Sequence, residues 1–184
     1  MKSIRIFRDS NHKVKFEEVA VLNTDTVFFI NDDNVTHWPT ICADKVEPSE
    51  ASSECPVPDQ PYKCKISGHD EIGVIEKVKP LARGNPTLQQ ATSGQQITEQ
   101  QVVSGGKSPY ITSEAAFEVK DSNGATIDSG DGIGPGLHLI PRDGNNGVFV
   151  GGTPVLSGTY HFVFTVDDKI EQNLGQVRCS MKVV

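Results

Sequence analysis

Two segments of the chain carry its most reactive side chains. His37 lies in the sequence Asn-Asp-Asp-Asn-Val-Thr-His-Trp-Pro, and Cys64 and His69 lie in Tyr-Lys-Cys-Lys-Ile-Ser-Gly-His. Two imidazoles and one thiolate make a strong site for a soft or borderline metal ion, and they are the ligand set of a blue-copper centre. The pattern therefore predicts a copper site, provided that the fold brings these three side chains together.

Strand-like runs lead to or contain each of these residues. Residues 26–30 are β-branched and aromatic, and a turn sequence separates them from His37. Tyr62–Ile66 is a second run, and it contains Cys64. Further along, residues 159–166 alternate between two faces, which predicts a strand with one buried side. Short strands, regular turns and no convincing helix in the second half predict an antiparallel sandwich there, and the whole chain is predicted to be all-β.

One interval differs in character from the strands around it. Residues 81–101 are polar, rich in glutamine and without a periodic apolar face. Such composition is typical of a linker that passes into the first strand of a new domain. The sequence therefore predicts a first domain over residues 1–80, a linker and first strand region over 81–101, and a second domain over 102–184.

The charge balance limits the classes of partner. The chain has 17 Lys and Arg residues against 24 Asp and Glu residues, for a formal net charge of −7. Nucleic-acid binding needs a basic patch, and the sequence contains no basic run. No apolar stretch approaches the roughly 18 residues that are needed to span a bilayer. We therefore predict neither a nucleic-acid partner nor a membrane-spanning segment.

Four cysteines, Cys42, Cys55, Cys64 and Cys179, allow three complete pairings. Cys42 and Cys55 flank a loop with little apolar content, so a bridge between them would hold a segment that lacks a core of its own. This disulfide is the preferred prediction, and it implies an oxidising compartment. In the alternative, Cys64 and Cys179 are paired as well, which would remove Cys64 as a metal ligand.

The order of motifs in the first domain resembles the bacterial cupredoxins. Residues 16–33 form a strand pair that ends in an Asn-x-Asp turn, and His37-Trp-Pro, Tyr-x-Cys64 and His69 follow in that order. The resemblance covers about 80 residues and implies a cupredoxin-like Greek-key β-sandwich. It also implies that His37, Cys64 and His69 hold copper for electron transfer or copper storage.

The chain departs from the cupredoxin pattern at the fourth ligand. Met1 and Met181 are its only methionines, so no methionine follows His69. A weak axial ligand would have to be Glu71 or a backbone carbonyl, or the site would have no axial ligand. A carboxylate is a harder donor than a thioether and would move the site away from blue-copper character. The competing interpretation is that Glu71 is a solvated residue next to Asp70.

Three blocks in the second domain resemble the Ig-like modules that are repeated in bacterial surface proteins. They are Gly-Gly-Lys-Ser-Pro-Tyr over residues 105–110, Pro-Gly-Leu-His-Leu over 135–139, and Gly-Thr-Pro-Val-Leu-Ser-Gly-Thr-Tyr-His-Phe over 152–162. The resemblance implies an Ig-like β-sandwich that acts as a spacer or adhesive unit. It also implies a bacterial protein that is extracellular, on the cell surface or periplasmic.

Two functions of different classes follow from these observations. In the first, the chain is a structural or adhesive module whose partners are other subunits or domains of a surface assembly. In the second, it is a copper protein that uses His37, Cys64 and His69. A hydrolase is disfavoured because the sequence contains neither a Gly-x-Ser-x-Gly elbow nor a paired-carboxylate motif. We therefore expect a protein that is not an enzyme.

Overall fold

Every regular element of the described chain is a β-strand, which confirms the predicted all-β class. The computed structural model describes residues 1–42, 44–66, 69–144 and 146–184, with the exception of the side chain of Glu114. Two compact units are present, one over Met1–Val78 and one over Lys79–Val184. Within the described residues, no helix has the length and apolar character that crossing a membrane requires.

The first unit contains nine strands in three small sheets. They are β1 (Lys2–Arg8), β2 (Val14–Phe16), β3 (Ala20–Leu22), β4 (Thr26–Asn31), β5 (Trp38–Pro39), β6 (Cys55–Pro56), β7 (Tyr62–Ile66), β8 (His69–Gly73) and β9 (Glu76–Val78). The sheet orders are β2-β1-β4-β6, β5-β7-β8 and β3-β9.

The first unit contains two parallel strand pairs. β1 pairs with β4 in parallel, and β3 pairs with β9 in parallel. Alternation of apolar residues identifies a strand but carries no information on its direction, so this feature could not be read from the pattern.

An aromatic cluster and a disulfide hold the first unit together. Tyr62 meets Phe16 and Phe29 edge to face, with ring centroids 4.8 and 5.1 Å apart. Contacts of this kind stabilise a core beyond the area that they bury. Cys42 and Cys55 form the predicted disulfide, with Cα atoms 5.6 Å apart. The preferred pairing is therefore confirmed.

The second unit contains eight strands in two four-stranded sheets. They are β10 (Ala82–Arg83), β11 (Gln100–Ser104), β12 (Ile111–Lys120), β13 (Thr126–Asp131), β14 (Leu137–Arg142), β15 (Gly147–Gly152), β16 (Gly158–Asp167) and β17 (Asn173–Val183). The sheet orders are β10-β11-β15-β14 and β13-β12-β16-β17. Tyr160, Phe162, Phe164 and Val166 all lie in one buried cluster, as the alternation of β16 predicts.

Residues 81–101 do not behave as a free linker. Leu88 and Ala91 are buried in the core of the second unit. Residues 87 and 91 form parallel bridges to residues 180 and 183 of the last strand. Five main-chain hydrogen bonds join these two segments: Leu88 N–H to Ser180 O, Ser180 N–H to Pro86 O, Ala91 N–H to Lys182 O, Val184 N–H to Ala91 O, and Ser93 N–H to Val184 O. We call segments 86–93 and 180–184 together the terminal clamp.

The polar composition of residues 81–101 misled the sequence prediction for a physical reason. The terminal clamp is held by main-chain groups, and these are the same whatever side chain a residue carries. Within segment 86–93, the buried apolar side chains that pack on the core are those of Leu88 and Ala91. A search for periodic apolar side chains therefore finds little sign that residues 81–101 are packed on the core.

Candidate metal centre and buried polar networks

The three-stranded sheet β5-β7-β8 positions all four predicted metal ligands. Cys64 lies opposite Glu71, and Ile66 lies opposite His69. Cys64 also lies opposite Pro39. Directly paired residues and residues two apart on a strand share one face of a sheet, so Cys64, His69 and Glu71 lie on the same face. His37 is two residues before Pro39 and belongs to that face as well.

Burial separates these residues into two groups. His37 and Cys64 are fully buried. His69 is exposed and Glu71 is half-buried. Among the residues that the structure describes, no three His, Cys, Asp or Glu side chains form a group that could hold a metal ion. The fold thus brings two of the predicted ligands to one buried face and leaves His69 in solvent.

A buried carboxylate, which the sequence analysis missed, holds His37 in place. His37 Nε2 lies 2.9 Å from Asp33 Oδ2, and Arg8 Nε donates to Asp33 Oδ1 at 2.9 Å. Asn34 N–H donates to the same carboxylate at 2.8 Å. Burial by itself raises the pKa of Asp33, but hydrogen bonds from Asn34, His37 and Arg8 outweigh it and hold this pKa below its usual value. Asp33 is therefore an ionised acceptor.

The Asn-x-Asp turn builds this network from the end of β4. Asn31 is fully buried, and its Oδ1 accepts Asp33 N–H at 2.9 Å. Its Nδ2 donates to the carbonyls of Val35 and Val46, both at 2.8 Å. Val46 in turn exchanges two main-chain hydrogen bonds with His37. One asparagine side chain thus fixes both the turn and the strand segment that carries the imidazole.

The environment of His37 fixes its protonation and its tautomer. Burial lowers the pKa of His37, although the Asp33 hydrogen bond opposes the shift. The ring is therefore neutral, and because Asp33 is an acceptor, Nε2 carries the hydrogen. This assignment leaves a lone pair on Nδ1, which is buried and has no hydrogen-bond partner. Buried polar atoms are rarely left unpaired, so this nitrogen needs a physical explanation.

Burial also governs the thiol of Cys64. It raises the pKa of Cys64 to about 11, with a smaller contribution in the same direction from Asp70 and an opposing hydrogen bond from the main chain of Trp38. Cys179, in the second unit, is raised to about 11 by burial alone. Both residues are free thiols, so the alternative pairing of these two is not formed. Each is therefore protonated and shielded from reagents at neutral pH.

We expect no thiol of the native chain to react with an alkylating reagent near neutral pH. Unfolding without reductant should expose two reactive thiols, because Cys42 and Cys55 remain bridged. Mass spectrometry after alkylation in the native and unfolded states measures both numbers. Because the folded pKa of each thiol lies above the reference value of 9.0, stability should fall as the pH rises from 9 toward 11. Rapid alkylation of Cys64 in the native chain would contradict this account.

The motif blocks of the second unit use their polar groups inside the fold. Tyr110 Oη donates to Gly105 O at 2.8 Å and accepts Gly147 N–H at 3.0 Å. It therefore joins the first block to the start of β15. Gly105 has a φ of +72°, and a Cβ there would collide with the carbonyl of Pro80. The glycine and the tyrosine of this block are thus structural requirements.

Asp168 is a second buried carboxylate that the sequence analysis did not identify. Its Oδ1 accepts the main-chain N–H groups of Ile170 and Gln172 at 3.1 and 2.9 Å. Its Oδ2 accepts Lys107 N–H at 2.8 Å and the Gln172 side-chain amide at 2.6 Å. Asp168 thereby ties the turn after β16 to the loop that contains the first motif block.

Comparisons with known proteins find similarity among solved structures alone. No family model and no curated protein matches the chain. Among solved structures, the chain is similar to domains 4 and 5 of the S-layer protein SbsC, with 13% identity and a TM-score of 0.33. The match covers 97% of this chain and 79% of that one. At this TM-score the similarity carries no conclusion about the fold or the function of the chain.

Proposed function

We propose that the chain is a structural or adhesive β-sandwich module of a bacterial extracellular or cell-surface assembly, and that it has no enzymatic activity. Its partners are other protein subunits or domains of that assembly. The observation that carries the proposal is the terminal clamp, in which segments 86–93 and 180–184 of the second unit are joined in parallel by five main-chain hydrogen bonds.

The geometry of the terminal clamp suits a protein that bears tension. Segments 86–93 and 180–184 run in parallel, and they lie near the two ends of the second unit. A force on the two ends of the unit therefore pulls the paired segments along their length in opposite directions. All five hydrogen bonds share that load, whereas an antiparallel pair pulled from one end would open one bond at a time.

Two further observations support the structural role. The Cys42–Cys55 disulfide fits an oxidising compartment and closes the loop between these two residues. Tyr110 of the first motif block and Asp168 after β16 are engaged in main-chain contacts rather than directed into a cleft. The proposal assigns the first unit to the cupredoxin-like folds and the second to the Ig-like folds, in agreement with the resemblance of their motifs.

Labelling of intact cells tests the proposed location. An antibody against the second unit should bind whole cells of the source organism, or cells whose outer layer alone has been opened. Trapping of thiols at lysis should recover the Cys42–Cys55 bridge already oxidised. A cytoplasmic protein used as the control should stay unlabelled. Detection of the chain only after rupture of the inner membrane, with Cys42 and Cys55 reduced, would refute the proposal.

A second function is favoured by the unpartnered nitrogen of His37. Its Nδ1 lone pair and the Cys64 thiol are buried on the same face of β5-β7-β8. Asp33 holds the imidazole in the tautomer that leaves Nδ1 available. We propose copper as the ion, with His37 and Cys64 as ligands, His69 as the third and Glu71 as the candidate fourth. Bound copper would supply one-electron redox chemistry.

Titration with Cu(II) tests this second function. The chain is expected to bind one equivalent and to develop a thiolate-to-copper absorption band in the visible region, because a deprotonated Cys64 is the only thiolate ligand of the set. Cys64→Ser should abolish the band, while Cys179→Ser should retain it and serves as the matched control. A band that survives Cys64→Ser, or copper that binds only at the surface without a band, would exclude the site.

A further inference from the structure

The outer face of the sheet β5-β7-β8 exposes apolar side chains next to charged ones. Trp38, Lys65 and Asp70 form one row across the three strands. Lys63 and Ile72 form the next row. Trp38 and Ile72 are 46% and 62% exposed, which is high for large apolar residues. We call these five residues the outer patch. It lies on the side of the sheet opposite Cys64.

The charges of the outer patch have no ion-pair partner among the described residues. Four arginine and lysine side chains of the described first unit do form ion pairs: Arg5 with Asp32, Arg8 with Asp33, Lys45 with Glu47, and Lys77 with Asp59. Among the described residues, neither Lys63 nor Lys65 has an ion pair, and Asp70 has none either, although it lies directly across from Lys65. The patch therefore combines unpaired charges of both signs with exposed apolar surface.

We propose that the outer patch docks against the same patch of a second copy of this chain. In this dimer the two sheets lie face to face, related by a two-fold axis that is parallel to the strands and midway between β7 and β8. β7 of each copy then faces β8 of the other copy, and paired rows lie at the same height along the strands. Lys65 then faces Asp70 of the second copy, and Lys63 faces Ile72, which can pack on its aliphatic stem. The arrangement is self-complementary in charge and covers Ile72, whereas Trp38, on β5, lies at the margin of the contact beyond the facing β8.

The size of the outer patch sets the strength of the contact. Three short strands at a spacing of about 4.8 Å offer less than the roughly 800 Å² per partner of a stable dimer. The contact is therefore weak for an isolated pair and becomes effective where many copies are held side by side. This inference rests on the proposed surface assembly, and it names one of the contacts that such an assembly would use.

Sedimentation of the full chain from micromolar to millimolar concentration tests the inference. The wild-type chain should form a weak dimer at low salt. Lys65→Asp and Asp70→Lys should each weaken association by about tenfold or more, because each places like charges opposite one another. The double variant with both substitutions should associate like wild type, and so should an equimolar mixture of the two single variants. Lys2→Asp, at an exposed and unpaired lysine of β1, is the control and should change nothing.

The emission of Trp38 gives a second readout, because it is the only tryptophan. Because Trp38 lies at the margin of the contact, its maximum should move slightly to shorter wavelength as the dimer forms. A wild-type chain that stays monomeric at millimolar concentration would overturn the inference. The inference would also be overturned if neither Lys65→Asp nor Asp70→Lys weakened association, or if an equimolar mixture of the two variants did not associate. The cell-labelling result is independent of these outcomes, so failure of the contact and failure of the proposed function can be told apart.

Discussion

Replacement of Asp33 by alanine is expected to destabilise the first unit by about 3 kcal/mol. The substitution leaves the buried Nε2–H of His37 and the N–H of Asn34 without an acceptor and removes the partner of Arg8. Removing one member of a buried charge pair typically costs about 3–5 kcal/mol. We place the effect at the lower end because the Arg8 side chain is 31% exposed and keeps part of its hydration.

The neighbouring carboxylate provides the matched control. Asp32 forms an exposed ion pair with Arg5, and Asp32→Ala should cost less than about 1 kcal/mol. Urea unfolding followed by the fluorescence of Trp38 reports on this unit alone, since it carries the only tryptophan. If Asp33→Ala and Asp32→Ala lowered the free energy of unfolding equally, the Asp33 network would not be what holds the His37 segment in place.

Replacement of Asp168 by alanine should have the largest effect in the second unit, about 3–5 kcal/mol. The side chain is buried and accepts four N–H groups, which would be left without a partner. Asp167→Ala removes a single hydrogen bond from Asn173 and should cost less than about 1 kcal/mol. Denaturant titration of the amide signals of β16 and β17 measures both variants. A mild effect of Asp168→Ala would contradict the assignment of this residue as a loop anchor.

Much of the strand content could be predicted from the sequence, because a half-buried strand needs alternating side chains. The residues of β16 show this directly, since the predicted face from Tyr160 to Val166 is buried. The Cys42–Cys55 bridge was also predictable, because the loop between the two cysteines has little apolar content. The terminal clamp was not predictable in this way, because main-chain hydrogen bonds leave almost no trace in side-chain patterns.

The candidate metal centre could be predicted only in part. Residue types and spacing identified His37 and Cys64, which the sheet register places on one buried face. The exposure of His69 depends on where β8 begins, and turn positions are poorly specified by composition. Asp33 was read as a turn residue among other polar residues. Its position four residues before His37 and two after Asn31 was the available signal.

The proposed load-bearing role of the terminal clamp can be measured by pulling on the two ends of the full chain. The second unit should unfold at a distinct force and release about 100 residues, or roughly 350 Å of chain. Ala91→Pro removes the N–H that donates to Lys182 O, and it should lower the unfolding force of this unit clearly. Gln90→Pro lies one residue away, where no main-chain N–H bond is made in the described structure, and it is the matched control.

We predict a high-force event for the wild-type chain, a similar event for Gln90→Pro and a weakened event for Ala91→Pro. Extension of the second unit without a resolved force peak would contradict the structural role that we propose. The same conclusion would follow if Ala91→Pro and Gln90→Pro unfolded at the same force as the wild-type chain.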